Sequence, residues 1–229
     1  EALAEGLQGI RYDEWRDALR LTEDKKNAQL EQWKALDSQP VNHFRFAAKI
    51  DRFIDEDTIV IGDGGDIVSA CAKVLNITQP GQWLDPGPLG CLGVGLPFAI
   101  AAKTLFPKKR VLVINGDGSF GFNGFEFDTA VRFGLPAVSI VGNDAGWGQI
   151  RTPQKNMLGA ERAVATSLAP TRYDQVVAAL GGYGEHVEDP AEIVPALERA
   201  FASGKPACIN VPLDAEGMSK TGASTPYIV

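Results

Sequence analysis

Two aspartates, Asp117 and Asp144, each follow a run of apolar residues in this sequence. The runs span residues 111–115 and 137–141, and their composition is typical of strands buried in a parallel sheet. A helical pattern between them predicts a strand, helix, strand crossover. Because the carboxyl ends of parallel strands meet at one edge of a sheet, we expect the two carboxylates to lie side by side, although 27 residues separate them.

Glycines surround the first aspartate, in the segment Gly116-Asp117-Gly118-Ser119. They allow backbone N–H groups to approach a phosphate, and paired carboxylates suit a hard divalent cation. Mg²⁺ typically binds one or two carboxylates together with phosphate oxygens, so these residues indicate a metal-bound diphosphate. The alternative is an ordinary turn, because Gly, Asp and Ser are common in turns of every kind.

Two more glycine-rich loops precede this segment. The first, Gly62-Asp63-Gly64-Gly65-Asp66, lies between a β-branched strand at 58–61 and a helix at 67–75, where a helix N-terminus can bind an anion. The second, Gly90-Cys91-Leu92-Gly93, precedes an apolar helix. Each loop alone also fits a simple packing contact.

The three loops, in this order, resemble those of thiamine-diphosphate-dependent enzymes. The segment GDGS, the following FEFDTAVRFGLP and the asparagine-bearing loop at the end of the next strand are similar to the metal and diphosphate motif of that family. The resemblance covers residues 40–212 and is to the superfamily of acetolactate synthase, benzaldehyde lyase and 2-hydroxyacyl-CoA lyase.

The resemblance implies a set of binding residues. The metal ligands for Mg²⁺ are the carboxylates of Asp117 and Asp144 and the backbone carbonyl of Gly146. Leu92 takes the place of the apolar residue that wedges under the cofactor and forces its bent conformation. The residues expected to contact thiamine diphosphate are Gly64, Gly65, Asp66, Gly90, Cys91, Leu92, Gly116, Gly118, Ser119, Trp147 and Gly148.

One position departs from the family's pattern. Asn143-Asp144 stands where the family usually has Asn-Asn. A carboxylate is an acceptable ligand for a hard cation, but it adds a negative charge near the diphosphate. The change is compatible with a tighter dependence on the metal or with a different ion.

The resemblance also implies how catalysis works and which part is missing. In this family the deprotonated thiazolium carbon of the cofactor attacks a carbonyl, and the ring stores the electron pair released when a carbon–carbon bond breaks. The glutamate that activates the cofactor lies on a pyrimidine-binding domain, for which this sequence has no counterpart. We therefore name no catalytic residue and expect that domain in the same or a partner chain. The full enzyme is expected to be a homodimer or homotetramer.

Three functions fit these residues. Gly64-Gly65-Asp66 and Trp83-Leu84-Asp85 are closer to lyase and carboligase members of the family. They favour a carbon–carbon lyase similar to 2-hydroxyacyl-CoA lyase, with a 2-hydroxyacyl-CoA, aldehyde or 2-oxoacid as its small-molecule substrate. An acetolactate synthase-like 2-oxoacid transferase is one alternative. A non-catalytic phosphate-binding α/β subunit is the other.

The predicted fold is an α/β domain with an open, mostly parallel sheet and helices on both faces, the thiamine-diphosphate-binding fold. Residues 1–39 are expected to form a linker of one or two amphipathic helices from an upstream domain, 40–213 the diphosphate-binding domain, and 214–229 a C-terminal tail. A single buried helix face is predicted within 120–133. The polar segment 149–174 is expected to form a loop or short helix over the site.

His43 and the three cysteines are assigned no chemical role from the sequence. His43 has no chemical partner nearby along the chain, so a solvated or core-edge side chain is expected. Cys71, Cys91 and Cys208 lie in apolar or small-residue settings without metal-ligand spacing. This pattern predicts buried thiols in a reducing compartment rather than disulfides.

The composition is that of an ordinary globular chain, with 45% of its 229 residues hydrophobic and 22% charged. A net charge of -7 and the lack of a basic block argue against nucleic-acid binding. No apolar run approaches the roughly 20 residues that cross a bilayer, and no signal-peptide pattern opens the chain. No membrane association and a cytoplasmic location are therefore expected.

Overall fold

Apolar and β-branched residues dominate the central strands of the sheet, which explains why those strands form and why they are buried. The structure, a computed structural model, describes Gly6 and residues 11–221. The strands are β1 Thr58–Asp63, β2 Trp83–Leu84, β3 Arg110–Gly116, β4 Val138–Asn143, β5 Tyr183–His186 and β6 Ala207–Pro212. All pairings are parallel, and the strand order is β2-β1-β3-β4-β6-β5.

Helices connect and cover these strands. The α-helices of the described residues are α1 Asp13–Lys34, α2 His43–Asp51, α3 Asp66–Val74, α4 Gly95–Leu105, α5 Asp117–Asn123, α6 Glu126–Arg132, α7 Gly148–Leu158, α8 Tyr173–Ala179, α9 Ile193–Ala202 and α10 Gly217–Thr221. The first helix of the sheet domain, α2, begins where the Asn42 side chain accepts the Phe44 N–H at 2.8 Å.

Alternate residues of each strand point to opposite faces of the sheet, and each face carries its own helices. On one face, α2, α3 and α9 pack on Val60, Ile114 and Ile140. On the other face, α4 packs on Ile61 and Val113, and α5, α6 and α8 share a smaller apolar cluster. The predicted open parallel sheet with helices on both faces is confirmed.

The chain changes direction across the sheet between β1 and β3. It passes from β1 to β2 on one side, then returns to β3 on the other side of β1. Gly64 and Gly116, at the carboxyl ends of β1 and β3, lie against each other, because a Cβ on Gly64 would be 3.0 Å from the Gly116 nitrogen. Open α/β sheets bind ligands in the crevice at such a reversal.

The segment between β3 and β4 forms two helices, α5 and α6, rather than the single predicted helix. Gly124 separates them, and a Cβ there would collide with the Phe120 ring. Phe120 and Phe127 are buried with ring centroids 5.9 Å apart, whereas Phe125 and Phe133 are exposed. The expectation of one continuous buried face is therefore wrong, because the break turns the latter two rings away from the core.

One other element was not predicted, and one that the sequence left open between a loop and a short helix is a helix. Strand β2 was not predicted, since two residues are too short to show an alternating pattern; it pairs with β1 in the register of Val60 with Trp83. The segment after Trp147 begins with the 11-residue helix α7, although it carries Pro153 inside it. Because the sequence there is polar with few periodic apolar residues, it did not decide between a loop and a short helix.

Both flanks of the sheet domain contact its core. Upstream of the sheet domain, Asp13–Lys34 form the helix α1, which has no fully buried residue but packs Leu30 and Trp33 against the core. Downstream, Met218 is buried and the Asp214 N–H donates to the Val41 carbonyl at 2.9 Å. Residues 214–221 therefore belong to the packed domain rather than to a separate tail.

The remainder of the predicted tail, 222–229, lies outside the described residues, as do 1–5 and 7–10. Within the described part of the chain, no helix is long and apolar enough to cross a membrane.

Candidate functional site

A cavity of about 220 Å³ lies at the reversal, at the carboxyl ends of β1, β3 and β4. The three loops singled out in the sequence meet there. The predicted site residues that line the cavity are Gly64, Gly65, Asp66, Gly90, Leu92, Gly116, Asp117, Gly118, Ser119, Asp144, Gly146, Trp147 and Gly148. Cys91 is the exception, because it is exposed and lies outside the lining.

The carboxyl groups of Asp117 and Asp144 both line the cavity and lie close enough to interact electrostatically. Asp117 follows β3 directly and Asp144 follows the neighbouring strand β4, so the two meet on one rim as predicted. Burial, and then the charge of Asp117, raise the pKa of Asp144 well above its ordinary value. Burial also raises the pKa of Asp117. Two carboxylates this close share a proton or a cation.

Arg151 and Asp66 add further charge around this pair. Arg151 Nη2 lies 3.4 Å from Asp144 Oδ2 and donates to the Ala215 carbonyl at 3.1 Å. A Cβ on Gly148 would be 2.6 Å from an Asp66 carboxylate oxygen and 2.9 Å from an Asp144 oxygen. Three carboxylates thus face one guanidinium, while Lys73, outside the cavity lining, also acts on Asp66. The acidic excess within the lining favours a bound cation.

Backbone amides face the same cavity at the start of two helices. Helix α3 begins just after Gly64 and Gly65, and α7 begins at Gly148; helix N-termini favour anions. Gly64 has a φ of 153°, which side-chain-bearing residues rarely adopt. Gly118 lies under the Trp147 indole, because a Cβ on Gly118 would be 2.5 Å from an atom of that ring. Glycine at these positions lets an anion approach the backbone N–H groups.

A metal-bound diphosphate fits this donor set. Asp117 Oδ2 accepts the Gly146 N–H at 3.0 Å, and within residues 11–221 no hydrogen bond to the Gly146 carbonyl is found. Among the described side chains, no group of three or more His, Cys, Asp or Glu forms a metal site. A cation here would be held by two carboxylates, one carbonyl, and phosphate or water oxygens, which is a ligand set that Mg²⁺ accepts.

The loop at residues 90–95 is fixed by Asp63, which was not among the predicted site residues. Its buried carboxylate accepts the N–H of Gly93 at 2.9 Å and of Gly95 at 2.8 Å, and the side-chain amide of Asn115 at 3.1 Å. From the other side, Asn123 donates to the Gly93 carbonyl at 2.7 Å. The sequence did hold a signal, because the Gly-Asp-Gly pattern at 116–118 occurs a second time around Asp63.

All the lining residues of this cavity except His43 lie in a domain found in known proteins. Residues 63–211 match the C-terminal TPP-binding domain of thiamine pyrophosphate enzymes. The chain belongs to this enzyme family. The matched span runs from the end of β1 to β6, so it contains every predicted site residue of this thiamine pyrophosphate enzyme domain.

Named relatives of this thiamine pyrophosphate enzyme fall into two groups. It is 42% identical to the acetolactate synthase large subunit IlvG of Mycobacterium tuberculosis over 211 residues, which are 91% of this chain and 38% of that protein. It is 43% identical to 2-hydroxyacyl-CoA lyase 2 of Caenorhabditis elegans over 179 residues, which are 77% of this chain and 28% of that protein. The chain spans less than two-fifths of the length of these relatives.

A solved structure shares the fold of this thiamine pyrophosphate enzyme domain. It is the thiamine diphosphate-dependent 4-hydroxybenzoylformate decarboxylase of Rhodococcus jostii RHA1, with a TM-score of 0.72. The match covers 79% of this chain and 34% of that one, at 20% sequence identity. At this identity the likeness concerns the fold alone.

Leu92 and Cys91 are neighbours in the enzyme's second loop but lie in different environments. Leu92 is partly buried in the cavity wall, whereas Cys91 is exposed to solvent. Adjacent side chains of a non-helical loop point in different directions, so only one of the two faces the cavity. The expectation of a buried thiol is therefore wrong for Cys91, while Cys71 and Cys208 are buried as predicted.

His43 lines the cavity, contrary to the expectation of a solvated or core-edge side chain. It is 2% exposed, and its Nδ1 has no hydrogen-bond partner in the described part of the chain. Burial lowers the pKa of His43 to about 4, while the charges of Asp214 and Arg151 act in opposite directions. A Cβ on Gly217 would be 2.9 Å from Nδ1. No local pattern marks His43, because the residues that cover it come from the far end of the domain.

Apolar side chains next to the cavity remain exposed. Trp147 packs edge-on against Phe122 with ring centroids 5.9 Å apart, and Phe122 is 61% exposed. Ile150, in the cavity lining, is 52% exposed, and Leu89 is 84% exposed. This exposed apolar rim is a surface that a further protein wall could cover.

Proposed function

We propose that this chain supplies the magnesium and diphosphate half of the active site of a thiamine-diphosphate-dependent carbon–carbon lyase or carboligase, similar to 2-hydroxyacyl-CoA lyase. The pairing of the Asp117 and Asp144 carboxyl groups in one cavity, where the charge of Asp117 acts on Asp144, carries the proposal. It lies among glycine-rich turns and helix N-termini, in the cavity of a domain whose family binds thiamine pyrophosphate. A buried acid pair of this kind is costly to the fold unless a cation joins it.

In this proposal the cavity residues hold the cofactor rather than react with the substrate. Asp117, Asp144 and the Gly146 carbonyl bind Mg²⁺, whose charge offsets that of the diphosphate. Backbone N–H groups at the start of α3 and beside Gly118 donate to phosphate oxygens. The Ser119 hydroxyl donates to the backbone carbonyls at Gly116 and Asp63, so its role is to shape the turn.

The loop at 90–95 forms the opposite wall of the proposed cofactor site. Leu92 supports the cofactor ring and excludes water, and Asp63 keeps the loop in position through the N–H groups of Gly93 and Gly95. When bound, thiamine diphosphate supplies the thiazolium carbon that attacks a carbonyl and the ring that accepts the electron pair of the broken carbon–carbon bond. Trp147 shields the glycine turn from solvent.

The proposed site requires a second protein wall. A cavity of about 220 Å³ is smaller than the roughly 300–1,000 Å³ of typical ligand pockets, and its apolar rim is exposed. We propose that a pyrimidine-binding domain, in the same or a partner chain, covers this rim and carries the activating glutamate. A homodimer or homotetramer of the full enzyme would bring the two walls together. The chain's short coverage of its relatives supports this arrangement.

The lyase reaction is supported by the similarity to 2-hydroxyacyl-CoA lyase 2, at 43% identity. An acetolactate synthase-like transfer between 2-oxoacids is the second candidate, because the similarity to acetolactate synthase is equally strong at 42% identity. The two reactions use the same cofactor and differ in the substrate pocket, part of which lies beyond this domain.

Calorimetry of the full-length protein with thiamine diphosphate, with and without Mg²⁺, tests the cofactor. We expect binding that depends on Mg²⁺; a lack of any binding would leave a non-catalytic phosphate-binding subunit as the better description. Assays of the same protein with a 2-hydroxyacyl-CoA and with pyruvate distinguish the two reactions. Cleavage of the former supports the lyase, and acetolactate formation without such cleavage supports the transferase.

A further inference from the structure

The turn that carries the proposed cation ligands is held in a strained conformation. Ala145, between Asp144 and Gly146, has a φ of 52°, in the left-handed region that residues other than glycine rarely occupy. Its N–H donates to Asn143 Oδ1 at 3.2 Å, and its carbonyl accepts the Leu168 N–H at 2.8 Å. A strained turn at a functional site persists only when its surroundings fix it.

The orientation of the Asn143 side chain is fixed in turn by two acceptors. Its Nδ2 donates to the Thr171 carbonyl at 2.9 Å and to Asn210 Oδ1 at 3.1 Å. These bonds direct Oδ1 towards the Ala145 N–H. With the amide reversed, Nδ2 would face that N–H and the two donors would repel each other.

Asn210 connects this turn to a histidine two strands away. Asn210, on β6, is 1% exposed, and its Nδ2 lies 3.1 Å from Nδ1 of His186 on β5. The amide nitrogen can only donate, so the imidazole proton is on Nε2, where it faces Glu188 Oε1 at 3.3 Å. A chain of hydrogen bonds therefore links Ala145 to Glu188 through Asn143, Asn210 and His186. Each group donates to the next one in that order.

We propose that Asn210 and His186 are positioning residues for the cation site: they orient Asn143, which holds Ala145 in its left-handed conformation and so aims Asp144 and the Gly146 carbonyl. The inference rests on the proposed function, because it assigns to this chain of side chains an effect on metal binding. Partners of metal ligands of this kind typically change metal affinity by roughly 10-fold to 100-fold when they are removed.

The alternative is that these groups merely satisfy one another inside the sheet. In that case their removal lowers stability without a specific effect on the cation. Cys208 provides a matched control, because it is fully buried on the same strand, two residues before Asn210, and takes no part in the hydrogen-bond chain. Cys208→Ala removes buried contacts from β6 and leaves the chain of hydrogen bonds intact.

The experiment is a titration of the full-length protein with Mn²⁺ at saturating thiamine diphosphate, with free Mn²⁺ measured by electron paramagnetic resonance. We expect Asn210→Leu to raise the Kd for Mn²⁺ roughly 10-fold or more. Cys208→Ala should lower the melting temperature but leave that Kd unchanged. Asn210→Asp keeps the acceptor for Asn143 Nδ2, so it should restore most of the affinity.

An unchanged Kd in a folded Asn210→Leu variant would overturn the inference and leave the proposed function intact. If wild-type protein does not bind Mn²⁺ with thiamine diphosphate, the proposed function itself fails. Should Asn210→Leu not fold, His186→Leu at the partly exposed end of the chain takes its place. A Kd equal to that of wild type in that variant would then count against the inference.

Discussion

At the scale of single residues, the cavity is lined by more acidic than basic side chains. Asp66, Asp117 and Asp144 face one arginine, and burial raises the pKa of all three carboxyl groups. A divalent cation between Asp117 and Asp144 would offset the repulsion between their carboxylates. These acids therefore weaken the cation-free fold, and substituting them should reduce binding without reducing stability.

Asp117→Ala tests this at the centre of the site. We expect the affinity for thiamine diphosphate in the presence of Mg²⁺ to fall roughly 10-fold or more, because a charged ligand is lost. The melting temperature without cofactor should stay the same or rise, since the repulsion with Asp144 is removed. Asp128→Ala is the control, because Asp128 lies on α6 and pairs with Arg132 outside the cavity. Equal calorimetric affinities for the two variants would contradict the assignment.

His43 gives the stability a pH dependence whose sign can be worked out. Burial lowers its pKa to about 4, whereas an unfolded chain has about 6.5. Between pH 6.5 and 4 the unfolded state binds more protons than the folded state, so the free energy of unfolding falls as the pH falls through this range. Below pH 4 both states are protonated at this residue, and His43 causes no further loss.

His43→Leu should remove this loss, because leucine does not titrate. Between pH 6.5 and 5, we expect the free energy of unfolding, measured with urea, to fall by about 2 kcal/mol more in the wild type than in the variant. Comparison of the two proteins cancels the titration of other groups. Parallel pH profiles would show that His43 is not buried in its neutral form.

At the scale of elements, the site depends on how the strand ends hold their loops. The carboxylate of Asp63, at the end of β1, bonds the loop before α4, and Asn115 and Ser139 on the next two strands continue the same network, with Ser139 Oγ donating to Asn115 Oδ1 at 2.6 Å. The loop that bears Leu92 therefore takes its position from the sheet.

Asp63→Asn should loosen that loop. An amide can accept only one of the two N–H groups and would present a donor to the other, so we expect the free energy of unfolding to fall by about 2–3 kcal/mol. Asp85→Asn is the control, since Asp85 accepts the Gly87 N–H at 2.8 Å but is exposed. Urea unfolding of both variants makes the comparison, and losses of equal size would argue against a special role for Asp63.

These elements also show how far the sequence leads and where it stops. The apolar runs at β3 and β4 and the glycine-rich loops predicted the parallel sheet and the Asp117 and Asp144 rim, because those signals are local. Gly124 divided a helix whose phenylalanine spacing suggested continuity. The structural roles of Asp63 and His43 were not predicted, because they depend on residues distant along the chain, at Gly93 and Gly217.

At the scale of the whole molecule, the exposed apolar rim predicts that the chain works within a larger assembly. Phe122, Ile150 and Leu89 surround a cavity that is open on one side. We expect the isolated chain to associate or aggregate and to lack lyase and transferase activity. Size-exclusion chromatography with light scattering, followed by activity assays, makes the test. A stable and fully active monomer of 24.5 kDa would contradict the prediction.

The pairing of Val41 with Leu213 brings the two ends of the sheet domain close together. The two residues form a parallel bridge, so the chain reaches the sheet and leaves it at the same place. A short linker could therefore join residues 221 and 40, with new termini in the exposed turn at Lys108, before β3 and at the opposite end of the strands from the cavity. Such a circular permutant should bind Mn²⁺ as well as the unpermuted residues 40–221 do, because the cation ligands depend on which strands are neighbours and not on the order of the strands along the chain.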